Sequence, residues 1–389
     1  MSYFPLTKEH QDYKEKAEHI SSTLIGPKAQ YYDATAQFPK ESIEALQKEG
    51  WWSLRVPKKY GGLGADMLST CLIIEEISKK CPSTAMCYKM HLEAVEAISR
   101  IPTTYQISNF VEPLSRGEIF AAAAGGESKG QSGRDWRSQA WPSTPLEQKN
   151  GNFILKNLRK SYVTSAGHAT HYLIFCRVPG GETEGPPDLL MLDASQIDWE
   201  VVGKWDGLGM RGNCSSPMLF NGTVPEENLL GIDIDDKNEP IMSKYMMPIL
   251  ILTYGAAYLG IASGAFELAC IEGDTRFESG SRRLDNPINQ RRIAEMSAQI
   301  ESARAFLHVA AKMADDGRNP SLLPFIQAKV ICSEVAVKVT QDIMTMFGGS
   351  AYGKFLPFER YFRDARAGLV MGMANDLAYE NINDLLFPE

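Results

Sequence analysis

The hydrophobic positions of this 389-residue chain follow a helical period near the C-terminus. In residues 293–317, apolar side chains recur at spacings of three and four, which places them on one face of a helix. Residues 322–349 show the same period and end at a glycine pair, a frequent helix stop. Both segments are therefore predicted to be long helices of a bundle.

The first 118 residues also carry helical patterns. The stretch "FPKESIEALQKEG" has Pro39 early, Ile43 and Leu46 three apart, and Gly50 as a stop. "MLSTCLIIEEISKKCP" has two lysines late in the pattern and a proline just beyond them. Between the two, "VPKKYGGLGAD" is typical of a loop. An N-terminal α-helical domain is predicted over residues 1–118.

From about residue 119 to 235 the pattern changes to short apolar runs broken by Gly, Pro and Asn. Strands are predicted at "FAAAAGG", "FILKNLRKSYVTSAG", "THYLIFCRV", "DLLMLDAS" and "SSPMLFNGTV". Loops such as "PGGETEGPPD" have hairpin-like spacing, so a small antiparallel sandwich or barrel is favoured over a parallel sheet. No G-x-G-x-x-G opens a helix after a strand, so a Rossmann nucleotide site is not supported.

The predicted fold class is α+β and mainly α. Its three predicted units are an N-terminal α-helical domain (1–118), a β-sandwich or barrel domain (119–235) and a C-terminal four-helix bundle (236–389). Residues 245–266 carry no charge and could span a bilayer by length, but Pro248, the two tyrosines after it and several small residues favour a helix buried in that bundle. No membrane association is expected.

The charge distribution and the spacing of the cysteines argue against some classes of function. The net charge is −8 and basic residues alternate with acidic ones, so no basic stripe is available for nucleic acid. The 7 cysteines are widely spaced and never form a C-x-x-C pair, as expected of buried thiols in a reducing compartment. The N-terminus lacks the basic-then-apolar order of a signal peptide. A cytoplasmic protein without a metal site is expected.

Four motifs follow one another along the chain at the predicted joints. They are "VPKKYGGLGAD" (56–66), "KSYVTSAGHAT" (160–170), "GLGMRGNCSSPMLFNGTVPEENLLG" (207–231) and "FGGSAYGKFLPFERYFRDARAG" (347–368). With the order helices, strands, helix bundle, the chain resembles the acyl-CoA dehydrogenase superfamily of flavoenzymes over essentially its whole length. The resemblance implies a bound FAD and a homotetramer or homodimer.

The resemblance also implies which residues hold the flavin. A family threonine on a "WITN"-like strand contacts the flavin near N5, and "YVTS" brings Tyr162, Thr164 and Ser165 to that place. The pyrophosphate is expected to be held by Arg276 of a neighbouring subunit and by the turn at Gly348 and Gly349. Glycines at such a turn have no side chain, so backbone N–H groups can approach phosphate oxygens.

On the adenine side the chain departs from the family pattern. The positions of a family Phe and of two Gln residues are taken by Ser279, Pro287 and Thr345. FAD stays the expected cofactor, and FMN, which needs none of those contacts, stays the alternative.

The catalytic base of the family is missing. Family dehydrogenases remove the α proton of a thioester with a carboxylate while the flavin takes the β hydride, and counting from "RDAR" (363–366) puts this position at Gly372. Some relatives carry the base on the first bundle helix, at the place of Leu250. Asp376, one helical turn beyond Gly372, and His91 are the candidate replacements. Glycine keeps the backbone N–H that, in the family, helps polarise the thioester carbonyl.

Two activities follow from this pattern. The first is α,β-dehydrogenation or oxidation of a small acyl thioester, with electrons leaving to an electron-transferring flavoprotein or to oxygen. The family's Asp-x-x-Arg, which helps hold coenzyme A, falls on the apolar residues 248–251, so a thioester on an acyl carrier protein, or another small molecule, stays open as substrate.

The second activity is that of superfamily monooxygenases, in which reduced flavin from a separate flavin reductase reacts with oxygen. No α-proton base is needed there. In that case Gly372 would leave space over the flavin, and His91 would donate a hydrogen bond to the oxygen species or the substrate. A third hypothesis is that the protein binds a flavin without catalytic activity.

Overall fold

The structure is a computed structural model that describes residues 4–126, 145–180, 186–231, 241–317 and 321–388. The N-terminal helices are α1 (Lys8–Ile20), α2 (Gly26–Thr35), α3 (Lys40–Lys48), α4 (Met67–Lys80), α5 (Pro82–Arg100), α6 (Thr104–Gln106) and α7 (Glu112–Ser115). The strands are β1 (Ala121–Ala124), β2 (Glu147–Lys149), β3 (Asn152–Val163), β4 (His171–Cys176), β5 (Asp188–Asp193), β6 (Asp198–Val201) and β7 (Ser216–Pro225). The C-terminal helices are α8 (Met247–Asp274), α9 (Pro287–Asp315), α10 (Leu323–Phe347), α11 (Gly349–Tyr352), α12 (Phe358–Arg366) and α13 (Asn375–Leu386). The predicted fold class, mainly α with a small β region between two helical regions, is confirmed.

Helices α4 and α5 form the centre of the molecule. Asp66 caps the N-terminus of α4, where its side chain accepts a hydrogen bond from the Ser69 N–H at 2.8 Å. Pro82 opens α5, where its missing N–H costs nothing. Nearly every residue of both helices is buried, because α4 packs against α8 of the bundle while α5 packs against β1. Helix α5 therefore separates the bundle from the strands.

The strands form two sheets, in the orders β1-β4-β5 and β2-β3-β7-β6. The expectation of an antiparallel arrangement is wrong for one pair, since β1 runs parallel to β4. Both described strands that lie between them in the chain, β2 and β3, belong to the other sheet, so β1 and β4 are joined by a long crossover and not by a hairpin. The other pairs are antiparallel.

The C-terminal helices match the apolar period of the sequence. In α9, Met296, Ile300, Ala303 and Leu307 are buried on one face. The segment Met242–Asp274 is long and apolar enough to cross a membrane by composition, yet 89% of its most apolar stretch is buried inside the protein, as in a core helix. The domain boundaries at 118 and 235 stay predictions, and residue 235 lies outside the described residues.

Candidate active site

A cavity of about 600 Å³ lies where helices α5 and α8, the end of β3 and the segment before α13 meet. Its lining includes Tyr162 and Thr164 from β3 and the residues after it, Leu250 and Tyr254 from α8, and Gly372. The sequence motifs that carry Thr164, Leu250 and Gly372 are far apart in the chain. The fold brings these three positions to one space.

A bulge at the end of β3 places the strand residues in the cavity wall. The register between β3 and β7 shifts between Lys160 and Val163, and Tyr162 takes a φ of +58°. Tyr162 is 59% exposed, whereas Thr164 is buried with its hydroxyl 2.9 Å from that of Ser215. Ser165, the third residue expected here, is buried, does not line the cavity, and donates its N–H to the Asn213 carbonyl at 2.9 Å.

The wall around Thr164 fits a flat, polar ring system such as a flavin. A flavin ring needs packing faces and hydrogen-bonding groups at its edge. The hydroxyls of Thr164 and Ser215 supply the polar edge, and the Trp205 ring meets the Tyr162 ring edge-on at 6.5 Å. A Cβ at Gly125 would lie 2.6 Å from the Phe175 ring, so this part of the wall has no room for a side chain.

One buried lysine holds the segment that carries Gly372. Lys329 of α10 is 2% exposed, and its Nζ donates to the carbonyls of Gly368 at 3.0 Å and Met373 at 2.5 Å. The same Nζ donates to the Asn375 side-chain oxygen at 2.8 Å, just where α13 begins. Because both ends of the segment are tied to one cation, its path past the cavity is fixed.

Gly372 has a conformation and a neighbour that both favour glycine. Its φ is +78°, in the left-handed region that side chains with a Cβ rarely adopt. A Cβ at this position would lie 2.7 Å from Cε2 of Tyr254 and 2.8 Å from its Cδ2. The Tyr254 ring therefore occupies the space into which a side chain at position 372 would extend.

Glu93 of α5 was missed by the sequence analysis, and it is the one charged side chain among the described residues that line the cavity. Its Oε1 forms an ion pair with Lys89, one helical turn earlier, and both side chains are completely buried. The Lys89 Nζ also lies 3.3 Å from the centre of the Tyr254 ring. Burial raises the pKa of Glu93, and the Lys89 ammonium only partly opposes this rise.

The two candidate bases from the sequence do not reach this cavity. Asp376 is exposed in the first turn of α13, where a carboxylate stabilises the helix N-terminus, and the next residue, Leu377, lines the cavity instead. His91 is completely buried and absent from the lining. Its Nε2–H donates to the Trp52 carbonyl at 2.8 Å, and its Nδ1 accepts from the Ala121 N–H at 3.1 Å. His91 thus joins α5 to β1, and both ring nitrogens are occupied.

The burial of His91 predicts a pH-dependent contribution to stability. Burial lowers its pKa from 6.5 to about 4, so the unfolded chain binds a proton that the folded protein does not. The free energy of unfolding should fall by up to roughly 3 kcal/mol from this group as the pH drops from 6.5 towards 4. Urea unfolding of His91→Gln across this range should show a shallower fall than the wild type. His19→Gln, at an exposed histidine of α1, is the control, and equal slopes for wild type and His91→Gln would contradict the assignment.

The residues expected at the pyrophosphate lie elsewhere on the bundle. Arg276 is exposed after α8 and donates to the Gly280 carbonyl at 2.7 Å. Gly348 and Gly349 are exposed where α10 ends and α11 begins. None of the three lines the cavity of this subunit. Arg283 connects their two segments, because its Nη1 donates to the Met346 carbonyl at 3.0 Å. Their role towards a neighbouring subunit stays a prediction.

Comparison with known proteins identifies relatives over both helical regions. Residues 7–118 match the family model "Acyl-CoA dehydrogenase, N-terminal domain" and residues 252–384 match "Acyl-CoA dehydrogenase, C-terminal domain". The chain is 28% identical over 369 residues to the probable acyl-CoA dehydrogenase FadE25 of Mycobacterium tuberculosis, covering 93% of this chain and 91% of that protein. It is 28% identical over 380 residues to the 3-sulfinopropanoyl-CoA desulfinase of Cupriavidus necator, covering 95% and 92%.

Solved structures share the fold over nearly the full length. The butyryl-CoA dehydrogenase of Megasphaera elsdenii superimposes with a TM-score of 0.88 at 25% identity, covering 98% of this chain and 99% of that one. The prolyl acyl carrier protein oxidase AnaB (TM-score 0.84, 20% identity) and the FMN-bound TdsC of Paenibacillus (TM-score 0.82, 21% identity) share the fold alone.

Proposed function

Because the chain belongs to the acyl-CoA dehydrogenase family of flavin oxidoreductases, we propose that it dehydrogenates a small acyl thioester between the α and β carbons. The proposal rests on one observation, which is that Thr164, Leu250 and Gly372 line the same cavity. These are the positions that, in the family, lie beside the flavin and the thioester.

The flavin would be held at the β3 side of this cavity. Thr164 and Ser215 offer hydroxyls to the edge of the ring, and Tyr162 and Trp205 offer apolar surface. When bound, the flavin supplies an acceptor for the hydride that leaves the β carbon. FAD is the proposed cofactor by family membership, with FMN as the alternative.

The acyl group would occupy the apolar side of the cavity. Leu250, Met247 and Met371 line it, and the volume of about 600 Å³ suits a small group rather than a long chain. The segment 248–251 offers no charged group to coenzyme A, so an acyl carrier protein is proposed as the carrier beside coenzyme A. The chain's own residues orient the thioester and exclude water by their apolar side chains.

A homo-oligomer is part of the proposal. Tyr352 and Phe355 follow the Gly348–Gly349 turn and are 84% and 86% exposed, which is unusual for large aromatic side chains. A second subunit covering this surface would bury them and would bring Arg276 or its equivalent to the glycine turn. Electrons would leave to an electron-transferring flavoprotein or to oxygen.

Oxygen transfer is the second candidate, since neither Gly372 nor Leu250 supplies the family's base. Oxygen transfer would need free space beside Gly372, but the Tyr254 ring occupies the space into which a side chain there would extend. It would also need a hydrogen bond from His91 to the substrate or the oxygen species, but both ring nitrogens of His91 are already hydrogen-bonded to backbone groups. The cavity instead contains a carboxylate, which favours dehydrogenation.

Product analysis separates the two candidates. The purified flavin-loaded protein is incubated with short acyl thioesters of coenzyme A and of acyl carrier protein, first with an artificial electron acceptor and then with a flavin reductase and oxygen. Mass spectrometry of the thioester should show the loss of two hydrogen atoms in the first condition. Gain of one oxygen atom, seen only in the second condition, would replace the proposal by oxygen transfer.

A further inference from the structure

We propose that Glu93 is the catalytic base of this site, taking the proton from the carbon next to the thioester carbonyl onto its Oε2 atom. The proposal rests on the proposed function, because it requires a thioester in the cavity. It assigns the base to helix α5, a different element from those that carry Gly372 and Leu250.

The hydrogen bonding of Glu93 leaves one oxygen for a ligand. Its Oε1 is engaged with Lys89, while Oε2 is buried and has no hydrogen-bond partner among the described residues. Buried carboxylate oxygens are nearly always satisfied, so an unpartnered one at a cavity wall needs an explanation. A substrate C–H group placed against Oε2, followed by proton transfer, supplies that explanation.

Lys89, Tyr254 and Gly372 form a chain of contacts next to this carboxylate. The Lys89 ammonium pairs with Glu93 and lies on the face of the Tyr254 ring, 3.3 Å from its centre. The edge of the same ring lies against Gly372. A base at position 372 and the Tyr254 ring cannot occupy this space together, so the ring and the relocated carboxylate form one consistent arrangement.

Access to Glu93 requires a side-chain movement. The carboxylate has no water-accessible surface, and Met86, Met90 and Met247 line the cavity with it. Methionine side chains are flexible and change rotamer at low cost. A bound acyl group would displace one of them and reach Oε2, while bulk water stays outside.

The proton transfer balances in atoms and charge. The α C–H bond breaks, an O–H bond forms on Glu93 Oε2, and the electron pair stays on the substrate as an enolate spread onto the thioester oxygen. Before transfer, Lys89 and Glu93 cancel each other. Afterwards the Lys89 ammonium balances the enolate, so the cavity stays neutral throughout.

Exchange of the α proton with solvent tests the base without any oxidation. Acetyl and phenylacetyl thioesters of coenzyme A have α protons but no β hydrogen, so they cannot be dehydrogenated. The flavin-loaded wild type in D₂O should exchange their α protons, followed by NMR over hours. Glu93→Gln should lower the rate by about 10²- to 10⁴-fold, the usual contribution of a general base.

Matched variants separate this role from a structural one. Asp376→Asn, which removes the exposed carboxylate, should exchange at the wild-type rate. Because Glu93→Gln leaves Lys89 buried without its partner, the double variant Lys89→Met/Glu93→Gln removes both charges and should be equally slow while retaining flavin. The wild-type rate should fall at low pH as Glu93 takes up a proton, with Lys89 and Tyr254 as its titratable neighbours, and this fall should be absent in both variants.

The possible results separate the role of Glu93 from the proposed dehydrogenation. Wild-type exchange in either Glu93 variant, or none in the wild type, would overturn the assignment of Glu93. Dehydrogenation that persists in Glu93→Gln would do the same and leave the proposed function standing. Exchange that depends on Glu93, together with no dehydrogenation of any thioester, would support the base and refute the proposed function.

Discussion

Replacement of Lys329 by methionine should lower the free energy of unfolding by about 3–5 kcal/mol. Methionine has a similar length but donates no hydrogen bond. The carbonyls of Gly368 and Met373 and the side-chain oxygen of Asn375 would each lose a donor. Leaving a buried acceptor unsatisfied costs roughly 1–3 kcal/mol. Asn375 keeps a hydrogen bond from Ser333, so the expected loss is smaller than three full penalties of this kind.

The control for this variant lies on the same helix. Lys338 is 54% exposed and pairs with Asp342 one turn away, so Lys338→Met should change stability by less than about 1 kcal/mol. Urea unfolding measures both. Amide hydrogen exchange should also accelerate selectively at residues 370–373 in Lys329→Met, because these residues line the cavity and depend on the lysine for their position. Equal losses in the two variants would show that Lys329 does not hold the segment.

Gly372→Ala should lower the free energy of unfolding by about 2–4 kcal/mol. About 1–2 kcal/mol comes from a Cβ at a φ of +78°. The rest comes from the contact with Tyr254, 2.7 Å from the added carbon. The ring cannot move away freely, since it is 8% exposed and packs against Lys89 on its face.

A second glycine separates the two contributions. Gly151, in the turn between β2 and β3, has a φ of +73° and no atom within 4 Å of an added Cβ. Gly151→Ala should therefore carry the backbone cost alone, about 1–2 kcal/mol. Urea unfolding of both variants gives the difference, which measures the contact with Tyr254. If the two losses are equal, the Tyr254 ring does not fill the space beside Gly372.

The long helices could be predicted from the sequence because their burial follows a simple period. Met296 and Leu307 of α9 repeat at helical spacing over many turns, and such a pattern has one interpretation. Strands β2 and β6 were missed since the first is exposed throughout and the second almost so, without an apolar alternation. The parallel pairing of β1 with β4 joins strands far apart in the chain, and no local pattern contains such a long-range choice.

The candidate site was predictable only where a motif marked it. Thr164 and Gly372 were found through their flanking residues, and both line the cavity. Glu93 was missed because Lys89 and Glu93 are four residues apart, which is typical of an exposed ion pair on a helix surface. Only the packing of α5 between the bundle and β1 buries the pair. Asp376 and His91 were chosen by residue type and place in the chain, which leave the direction of a side chain open.

Anaerobic titration of the oxidised flavin protein with short acyl thioesters shows whether this site removes hydrogen from a thioester. The visible absorbance of the flavin is followed while coenzyme A and acyl carrier protein thioesters are added without oxygen or any other acceptor. At least one thioester should bleach the flavin, with an α,β-unsaturated thioester recovered as product. An oxidised flavin that stays yellow with every thioester offered would contradict the proposed dehydrogenation.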